Sequence, residues 1–307
     1  MPQSLLSNSD VKHLARQLGF LACGIAPLHP VHPEVARHYA SWLECGHHAR
    51  MHYLEQYRQL RIHPDQLLPG AKSIVCVALQ YHPGSSPTQQ GLAWYAQGKD
   101  YHLVLKRKLQ VLQQALGVEG RCFVDTAPVM EKYWACQAGI GFVGRNTQLV
   151  IPQVGSAFFL GELVVASACD VYDKPMEFSH HPCGTCRRCI EACPTQALSS
   201  DGLNANRCIS YHTIENRDAL LPDFVRPHLG TCFYGCDRCL RACPHLRQPQ
   251  QPTDPDFLPS PELLQMQPLQ WKKLTVEQYR KLFKDSAVKR AKYEGLMRNI
   301  GSLACDE

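Results

Sequence analysis

The stretch Cys183-Gly-Thr-Cys186-Arg-Arg-Cys189-Ile-Glu-Ala-Cys193-Pro194 places four cysteines in a C-x2-C-x2-C-x3-C-P spacing. This spacing is typical of bacterial ferredoxin loops, in which three thiolates bind one four-iron cluster and the fourth binds a second cluster. A second cysteine loop is therefore expected. The chain contains one downstream, with the last three cysteines and the proline but without the first cysteine: Cys236-Asp-Arg-Cys239-Leu-Arg-Ala-Cys243-Pro244.

The second loop leaves one iron ligand to be found elsewhere. Its regular spacing would put the missing thiol at Phe233, and two other cysteines are available, Cys232 one residue away and Cys208 farther upstream. Exchange of the fourth cysteine between the loops gives the first 4Fe-4S cluster the ligands Cys183, Cys186, Cys189 and Cys243. The second 4Fe-4S cluster then has the ligands Cys193, Cys236 and Cys239, completed by Cys208 or Cys232.

Zinc binding and disulfide formation are the alternative uses of these cysteines. Structural zinc usually pairs two short C-x2-C units, whereas the first loop runs four cysteines into a proline. Disulfides need an oxidising compartment, and the first ten residues lack the basic start, apolar run and cleavage site of a secretion signal. The pattern therefore favours a cytoplasmic iron–sulfur protein. The remaining thiols are expected to be isolated: Cys23, Cys45, Cys76, Cys122, Cys136, Cys169 and Cys305.

Length and composition indicate more than an electron carrier. The chain has 307 residues, of which 45% are hydrophobic and 19% charged, so it can bury a large core and is too long to be only a ferredoxin. A formal net charge of +5 is compatible with an anionic partner without requiring one. No apolar run approaches the roughly 20 residues of a membrane helix, so no membrane partner is expected.

The fold class predicted is α+β. Apolar stripes at helical spacing predict helices over 11–18 and 105–116, and β-branched or aromatic runs predict strands at 73–79, 121–124 and 157–165 in a sheet covered on both faces. We expect three parts in chain order. They are a layered α/β catalytic domain over 1–175, a ferredoxin-like two-cluster domain over 176–248, and a linker with a basic helical segment over 249–307.

Gly139-Ile-Gly141-Phe-Val-Gly144 matches the G-x-G-x-x-G pattern of dinucleotide-binding turns. That turn follows a strand and precedes a helix, whereas here 131–138 is predicted as a helix and 147–151 as a strand. The reversed order argues against a nicotinamide site. A turn that lets the backbone approach a large flat ligand is the alternative use of these glycines.

Asp125 follows the strand predicted to end at Val124, where α/β folds commonly place their chemistry. One interpretation is a capping or turn aspartate. In the other, apolar neighbours such as Phe123 and Val129 raise its pKa, so that it holds a proton for delivery. The residues alone leave both interpretations open.

Several motifs outside the cysteine loops occur in a fixed order. They are Arg61-Ile-His-Pro-Asp-Gln-Leu-Leu-Pro69-Gly, Tyr95-Ala-Gln-Gly98-Lys-Asp100-Tyr-His102, Val124-Asp125-Thr-Ala-Pro-Val-Met-Glu131, Ala138-Gly-Ile-Gly-Phe-Val-Gly144-Arg-Asn146-Thr, Phe159-Leu-Gly-Glu-Leu, Arg207-Cys208-Ile-Ser-Tyr-His-Thr-Ile-Glu215 and Tyr234-Gly-Cys236. Together with the cysteine loops, they make the chain resemble the epoxyqueuosine reductases over nearly its whole length. These are cobalamin and iron–sulfur enzymes that complete queuosine at the wobble position of certain tRNAs.

The resemblance implies roles for individual residues. It implies that Cys208, and not Cys232, completes the second cluster, and that Asp125 is the proton donor above the corrin ring. It also implies a cobalamin bound in the first domain without its nucleotide base on the cobalt. The positions that match family contacts to this cofactor are Arg61, Tyr95, Asp125, Leu149, Leu160, Ile209, Ser210 and Asp237.

The implied reaction is the reduction of epoxyqueuosine to queuosine in tRNA, with electrons passed from two 4Fe-4S clusters to cobalamin. The implied partners are a tRNA anticodon arm and an unidentified electron donor, and a monomer is expected. Asn216, Arg217, Arg226 and the basic C-terminal helices are the candidate RNA contacts. The alternatives are a corrinoid reductive dehalogenase, a non-catalytic iron–sulfur electron-transfer protein, and an RNA-binding module with structural clusters.

Overall fold

The computed structural model describes residues 5–249 and 253–303, so Cys305 and the centre of the predicted linker lie outside the described residues. The helices are α1 (Asn8–Gln17), α2 (Pro33–Glu44), α3 (Tyr53–Gln56), α4 (Arg58–Ile62), α5 (Tyr101–Leu116), α6 (Glu131–Gln137), α7 (Arg188–Glu191), α8 (Ile209–Ile214), α9 (Arg238–Arg241), α10 (Pro261–Leu264), α11 (Pro268–Lys272), α12 (Val276–Leu282) and α13 (Lys292–Gly301). The strands are β1 (Ala22–Pro27), β2 (Ser73–Gln80), β3 (Gly120–Phe123), β4 (Phe142–Val143), β5 (Leu149–Val150), β6 (Phe158–Val165), β7 (Leu198–Ser199) and β8 (Gly202–Leu203).

The central element is an antiparallel sheet with the strand order β1-β2-β6-β3. Every residue of β2 is buried, so the sheet is covered on both faces. Because successive strand residues point to opposite faces, β2 contributes to two cores. Val75 and Val77 pack with α1 and α5 on one face, and Ile74 and Cys76 pack with α6 on the other. The α+β class is confirmed.

The sheet also confirms the three predicted strands, which are β2, β3 and β6. The sequence pattern does not predict β1, because Gly24 and Pro27 are both unfavourable in strands. The structure gives a reason for the glycine. A Cβ atom at Gly24 would lie 2.0 Å from the carbonyl oxygen of Ala138, so only glycine allows β1 to pack this closely beneath the end of α6.

Helix α5 carries Tyr101 and His102 to the edge of the sheet. Asp100 caps its N-terminus by accepting a hydrogen bond from the backbone N–H of His102, and Gly117 ends it in a left-handed conformation. Leu105 and Leu109 bury the helix against β6. The first residues of α5 are thereby fixed beside the end of β3.

The C-terminal helices pack across the rest of the chain instead of forming a separate lobe. Trp271, Phe283 and Leu296 share a hydrophobic cluster with Leu92 from the first part and Phe233 from the cysteine-rich part. The three-part division remains a prediction, and this shared core ties the three parts together. Within residues 5–249 and 253–303, no helix has the length and apolar character needed to cross a membrane.

The G-x-G-x-x-G pattern begins just after α6 and includes β4, so it follows a helix and precedes the strand β5, as predicted. Its glycines serve protein packing. A Cβ atom at Gly141 would lie 2.4 Å from the carbonyl oxygen of Val150, and one at Gly139 would lie 2.6 Å from that of Lys174. These two glycines make room for neighbouring backbone, and the approach of a flat ligand to this turn stays a prediction.

Candidate active site

A cavity of about 890 Å³ lies between the sheet and the cysteine-rich part, and a smaller cavity of about 280 Å³ adjoins it. Tyr95, Tyr101 and Asp125 border both, so we treat the two as one cleft. Seven of the eight predicted cofactor contacts border this cleft: Arg61, Tyr95, Asp125, Leu149, Leu160, Ile209 and Ser210. The eighth, Asp237, accepts a hydrogen bond from the backbone N–H of Trp94 at 2.8 Å and does not border it.

Asp125 lies at the edge of the cleft, two residues after the end of β3. Its backbone φ of +52° falls in the left-handed region, which non-glycine residues rarely adopt. Its Oδ2 accepts a hydrogen bond from the Tyr101 hydroxyl at 2.5 Å and lies 3.3 Å from His102 Nε2. Its backbone N–H donates to Glu131 Oε1 at 2.5 Å. These contacts hold the side chain toward the cleft, where 56% of it is exposed.

The charges around Asp125 differ from the expectation. Burial raises the pKa of Asp125, but the hydrogen bonds from His102 and Tyr101 outweigh it and the net pKa is lowered. Burial thus acts in the expected direction, but the expected net rise is reversed by these hydrogen bonds. Burial lowers the pKa of His102, but hydrogen bonds to Asp100 and Asp125 outweigh it and raise the value to about 9. At neutral pH the Asp125 carboxylate thus faces the His102 imidazolium.

Asp100 completes this arrangement from the other side of the ring. Its Oδ1 lies 2.6 Å from His102 Nδ1, while His102 Nε2 faces Asp125. The imidazolium is thus held between two carboxylates. Tyr101 and His102 were not predicted as site residues. Their sequence signal is the Asp100-Tyr-His102 run, an aspartate that caps a helix and whose own carboxylate binds the histidine two residues later.

The cysteines of the two loops form two neighbouring sets. We call Cys183, Cys186, Cys189 and Cys243 the outer cysteines, and Cys193, Cys208, Cys236 and Cys239 the inner cysteines. All four inner cysteines border the cleft, and none of the outer cysteines does. Burial, followed by the charges of nearby thiols from both sets, raises the pKa of Cys239 to about 12. The cysteines in the described residues are free thiols.

The geometry favours Cys208 over Cys232 for the inner set. Cys208 is close enough to Cys193 for their charges to interact, and it also affects Cys236 and Cys239. Cys232 affects only Cys236 among these, and it does not border the cleft. Two groups of four mutually close thiols fit two four-iron clusters, because iron binding stabilises the thiolate form that these neighbours otherwise disfavour.

The cleft also has groups that fit a large ligand with many amides. Arg61 Nε, Asn146 Nδ2 and Ser156 Oγ are buried and have no hydrogen-bond partner among the described residues, and all three residues border the cleft. A buried polar group without a partner costs stability. Cobalamin carries peripheral amides that can supply such partners, while Leu149 and Leu160 offer an apolar wall.

The predicted RNA contacts lie in different settings. Asn216 is 3% exposed, and its side chain contacts His212 and the backbone N–H of Asp218. Arg217 is exposed and donates hydrogen bonds to the carbonyl oxygens of Ile214 and Arg290. Two basic residues of the C-terminal part, Lys289 and Arg290, border the cleft itself. We call Lys289 and Arg290 the basic edge of the cleft. The structure places Arg217 in contact with this edge and buries Asn216.

Comparisons with known proteins agree with one another. A family model described as "Epoxyqueuosine reductase QueG, DUF1730" matches residues 61–126, and one described as "4Fe-4S double cluster binding domain" matches residues 182–245. An epoxyqueuosine reductase of Cyclobacterium marinum is 40% identical over 300 residues, which cover 94% of this chain and 94% of that protein.

Solved structures add a similarity of fold. A crystal structure of epoxyqueuosine reductase with a tRNA-Tyr epoxyqueuosine-modified stem loop has a TM-score of 0.85 and 28% identity, covering 95% of this chain and 79% of that one. A Bacillus subtilis epoxyqueuosine reductase, with its aspartate catalytic loop swung out of the active site, has a TM-score of 0.83 and 27% identity at the same coverage.

Proposed function

This chain belongs to the epoxyqueuosine reductase family, and we propose that it reduces epoxyqueuosine to queuosine at the wobble position of tRNA. One observation carries the proposal. Asp125, with the Tyr101 hydroxyl and the His102 imidazolium beside it, borders the same cleft as all four inner cysteines. The cleft therefore joins a source of protons to a site for electron-carrying clusters.

Both cofactors follow from the family and from the residues around the cleft. Cobalamin would be held by Arg61, Tyr95, Leu149, Leu160, Ile209 and Ser210, and the clusters by the inner and outer cysteines. Together they supply the two electrons of the reduction, delivered singly through the clusters. Because only the inner cysteines border the cleft, we expect the electron donor to deliver its electrons to the cluster of the outer cysteines.

The protein's own task is to supply protons. Removing the epoxide oxygen as water, with a double bond left between the two carbons, consumes two electrons and two protons. His102 holds a proton at Nε2, 3.3 Å from Asp125 Oδ2. Asp125 can receive it and deliver it to the departing oxygen, while Asp100 holds the opposite ring nitrogen at 2.6 Å. A general acid of this kind contributes about 10²–10⁴-fold to the rate.

The basic edge of the cleft is suited to the phosphates of an anticodon arm. Lys289 is exposed there, and Arg290 is fixed by two hydrogen bonds to the Glu215 carboxylate, at 2.7 and 2.8 Å. Basic groups at this edge position the RNA, and the modified base is splayed into the cleft. Arg217 supports the edge by donating to the Arg290 carbonyl oxygen.

The Asp125 turn, residues 124–130, corresponds in this proposal to the aspartate catalytic loop that is swung out in the Bacillus subtilis relative. The left-handed backbone of Asp125 fits a segment with two alternative positions, because a strained φ persists only when its surroundings hold it. A monomeric state, a cytoplasmic location and a separate electron donor stay predictions.

The test is anaerobic reconstitution with iron, sulfide and cobalamin, followed by nucleoside analysis of tRNA that contains epoxyqueuosine. The parent protein should form queuosine. Asp125→Asn should keep the cluster and corrin absorbance but lose about 10²–10⁴-fold in turnover. Asp223→Asn is the matched control, since Asp223 is 92% exposed and forms its ion pair with Arg226, three residues along the chain. Full turnover by Asp125→Asn would remove this aspartate from the mechanism.

The same assay separates the alternatives. A corrinoid dehalogenase would reduce an organohalide and leave the tRNA unchanged. A bare electron-transfer protein would bind clusters but no corrin, and an RNA-binding module would bind the anticodon arm without forming queuosine. Any of these outcomes would overturn the proposed function.

A further inference from the structure

A buried carboxyl lies directly behind the Asp125 turn, and the proton supply described above does not use it. Glu162 is in the middle of β6, opposite Phe123 on β3 and Cys76 on β2, and its exposure is 0%. Both of its oxygens are buried, and neither accepts a hydrogen bond from a donor among the described residues. An ionised carboxyl in such a place would be very costly, so a protonated one is expected.

The main charged neighbour of Glu162 is Glu131, the first residue of α6. Their side chains are close enough for each to shift the pKa of the other, and two carboxyl groups in contact can form a hydrogen bond only when one of them carries a proton. Glu131 Oε1 also accepts the backbone N–H of Asp125 at 2.5 Å. A chain of contacts therefore runs from the centre of the sheet, through Glu131, to the backbone of the strained aspartate. A bond to a charged acceptor is stronger than one to a neutral acceptor.

We propose that Glu162 keeps a proton at neutral pH and, by donating it to Glu131, acts as a positioning residue that holds the Asp125 turn at the cleft. The inference rests on the proposed function, because it assigns a role in that reaction. Glu162 does not touch the substrate space itself. It keeps Glu131 in place as the acceptor for Asp125.

The other ionisable groups facing the pair are Asp125 on the turn, Lys132 on α6, Tyr101 on α5 and Cys76 on β2. Lys132 donates to the carbonyl oxygen of Thr147 at 2.8 Å. Burial and then the charge of Asp125 raise the pKa of Glu131 to about 7, and burial followed by the charge of Glu131 raises the pKa of Glu162 well above its usual range.

Two variants separate positioning from packing. Glu162→Gln keeps a donor for Glu131 at every pH and should keep most of the parent's turnover. Glu162→Leu fills the same buried space but has no donor, and it should lower kcat by about 10²-fold because the reacting groups are misplaced. A merely structural role predicts the reverse, since apolar side chains often replace buried charged groups without loss of stability. Equal turnover in the two variants would overturn the proposal.

A second measurement needs no cofactor or substrate. Because the folded pKa of Glu162 is raised, folding takes up a proton, and the stability from this group is lost as pH rises from the unfolded value toward the folded one. The Tm of the parent should therefore fall between pH 5 and pH 8 more steeply than that of Glu162→Gln. Glu119→Gln, an exposed change beside the start of β3, should follow the parent. Parallel curves for the parent and Glu162→Gln would overturn the proton assignment.

Hydrogen exchange of residues 124–131 then tests the positioning itself. At one fixed pH, these amides should exchange several-fold faster in Glu162→Leu than in Glu162→Gln. Equal exchange rates would overturn the proposal. A parent protein that fails to form queuosine would instead defeat the proposed function, and the exchange and Tm results would still decide whether Glu162 holds the turn.

Discussion

The sheet side and the cysteine side of the cleft are built in opposite ways. On the sheet side, ionisable groups already have protein partners, as His102 does between Asp100 and Asp125. On the cysteine side, burial first and the charges of neighbouring thiols second raise the pKa of Cys236 to about 11 and that of Cys239 to about 12. The ion pairs around Asp125 therefore form without a cofactor, whereas the cysteine side needs a cation to stabilise its thiolates.

The hydrophobic cores follow the same division. Two large cores cover the sheet on both faces, while the region of the cysteine loops has a small cluster that contains Ile209, Leu221, Val225 and Leu229. Cys76 is also buried in the sheet, and its pKa is raised mainly by burial, with smaller contributions from the charges of Glu162, Cys23, Glu131 and Cys136. Burial alone therefore does not mark an iron ligand. A group of mutually close thiols does, and its stability should depend on iron.

The strongest test of this comparison removes one inner thiol. Cys208→Ala should lower the iron content of the reconstituted protein by about half, because one of two four-iron clusters is lost, and it should abolish turnover. Cys232→Ala is the matched control and should keep the parent's iron. Iron analysis with visible absorbance measures both. The reverse result would assign the eighth ligand to Cys232.

Sequence reasoning succeeds where the chemistry is local. The cysteine spacing lies within short loops, and the structure brings the members of each predicted set close to one another, with the inner set at the cleft. The contact of His102 with Asp125 could not be predicted in this way, because it depends on where α5 lies against β3. In the sequence, Glu162 is a single polar residue within an apolar strand, and Asn216 stands next to an arginine as a surface residue would. Only packing shows that both are buried.

A smaller effect is expected from changing the sheet side. His102→Gln should lower turnover by about 10²-fold, since it removes the proton held beside Asp125. In the parent, turnover should fall as pH rises through about 9, where the imidazolium loses its proton, and this decline should be absent in the variant. The folded pKa is raised, so the stability that His102 adds is present below about 6.5 and is lost as pH rises through about 9.

Asp100→Asn provides the control for that prediction. It leaves His102 in place but removes one of its two carboxylate partners, so the decline in turnover should move to lower pH. Turnover and thermal unfolding, each measured from pH 6 to 10, check both variants. A parent whose turnover is flat across this range would show that the imidazolium is not the proton source, and the sheet side would then depend on its cofactor as much as the cysteine side does.

The smallest effect is expected at the edge where the two sides meet. Lys289 is exposed and borders the cleft, so Lys289→Ala should weaken binding of the tRNA anticodon arm a few-fold and reduce the slope of log Kd against log salt by about one. Lys284→Ala removes another exposed charge, one that does not border the cleft, and it should leave the slope unchanged. If both variants lose the same slope, the RNA is attracted by the general charge of the C-terminal helices, and the basic edge has no specific role in placing the modified base.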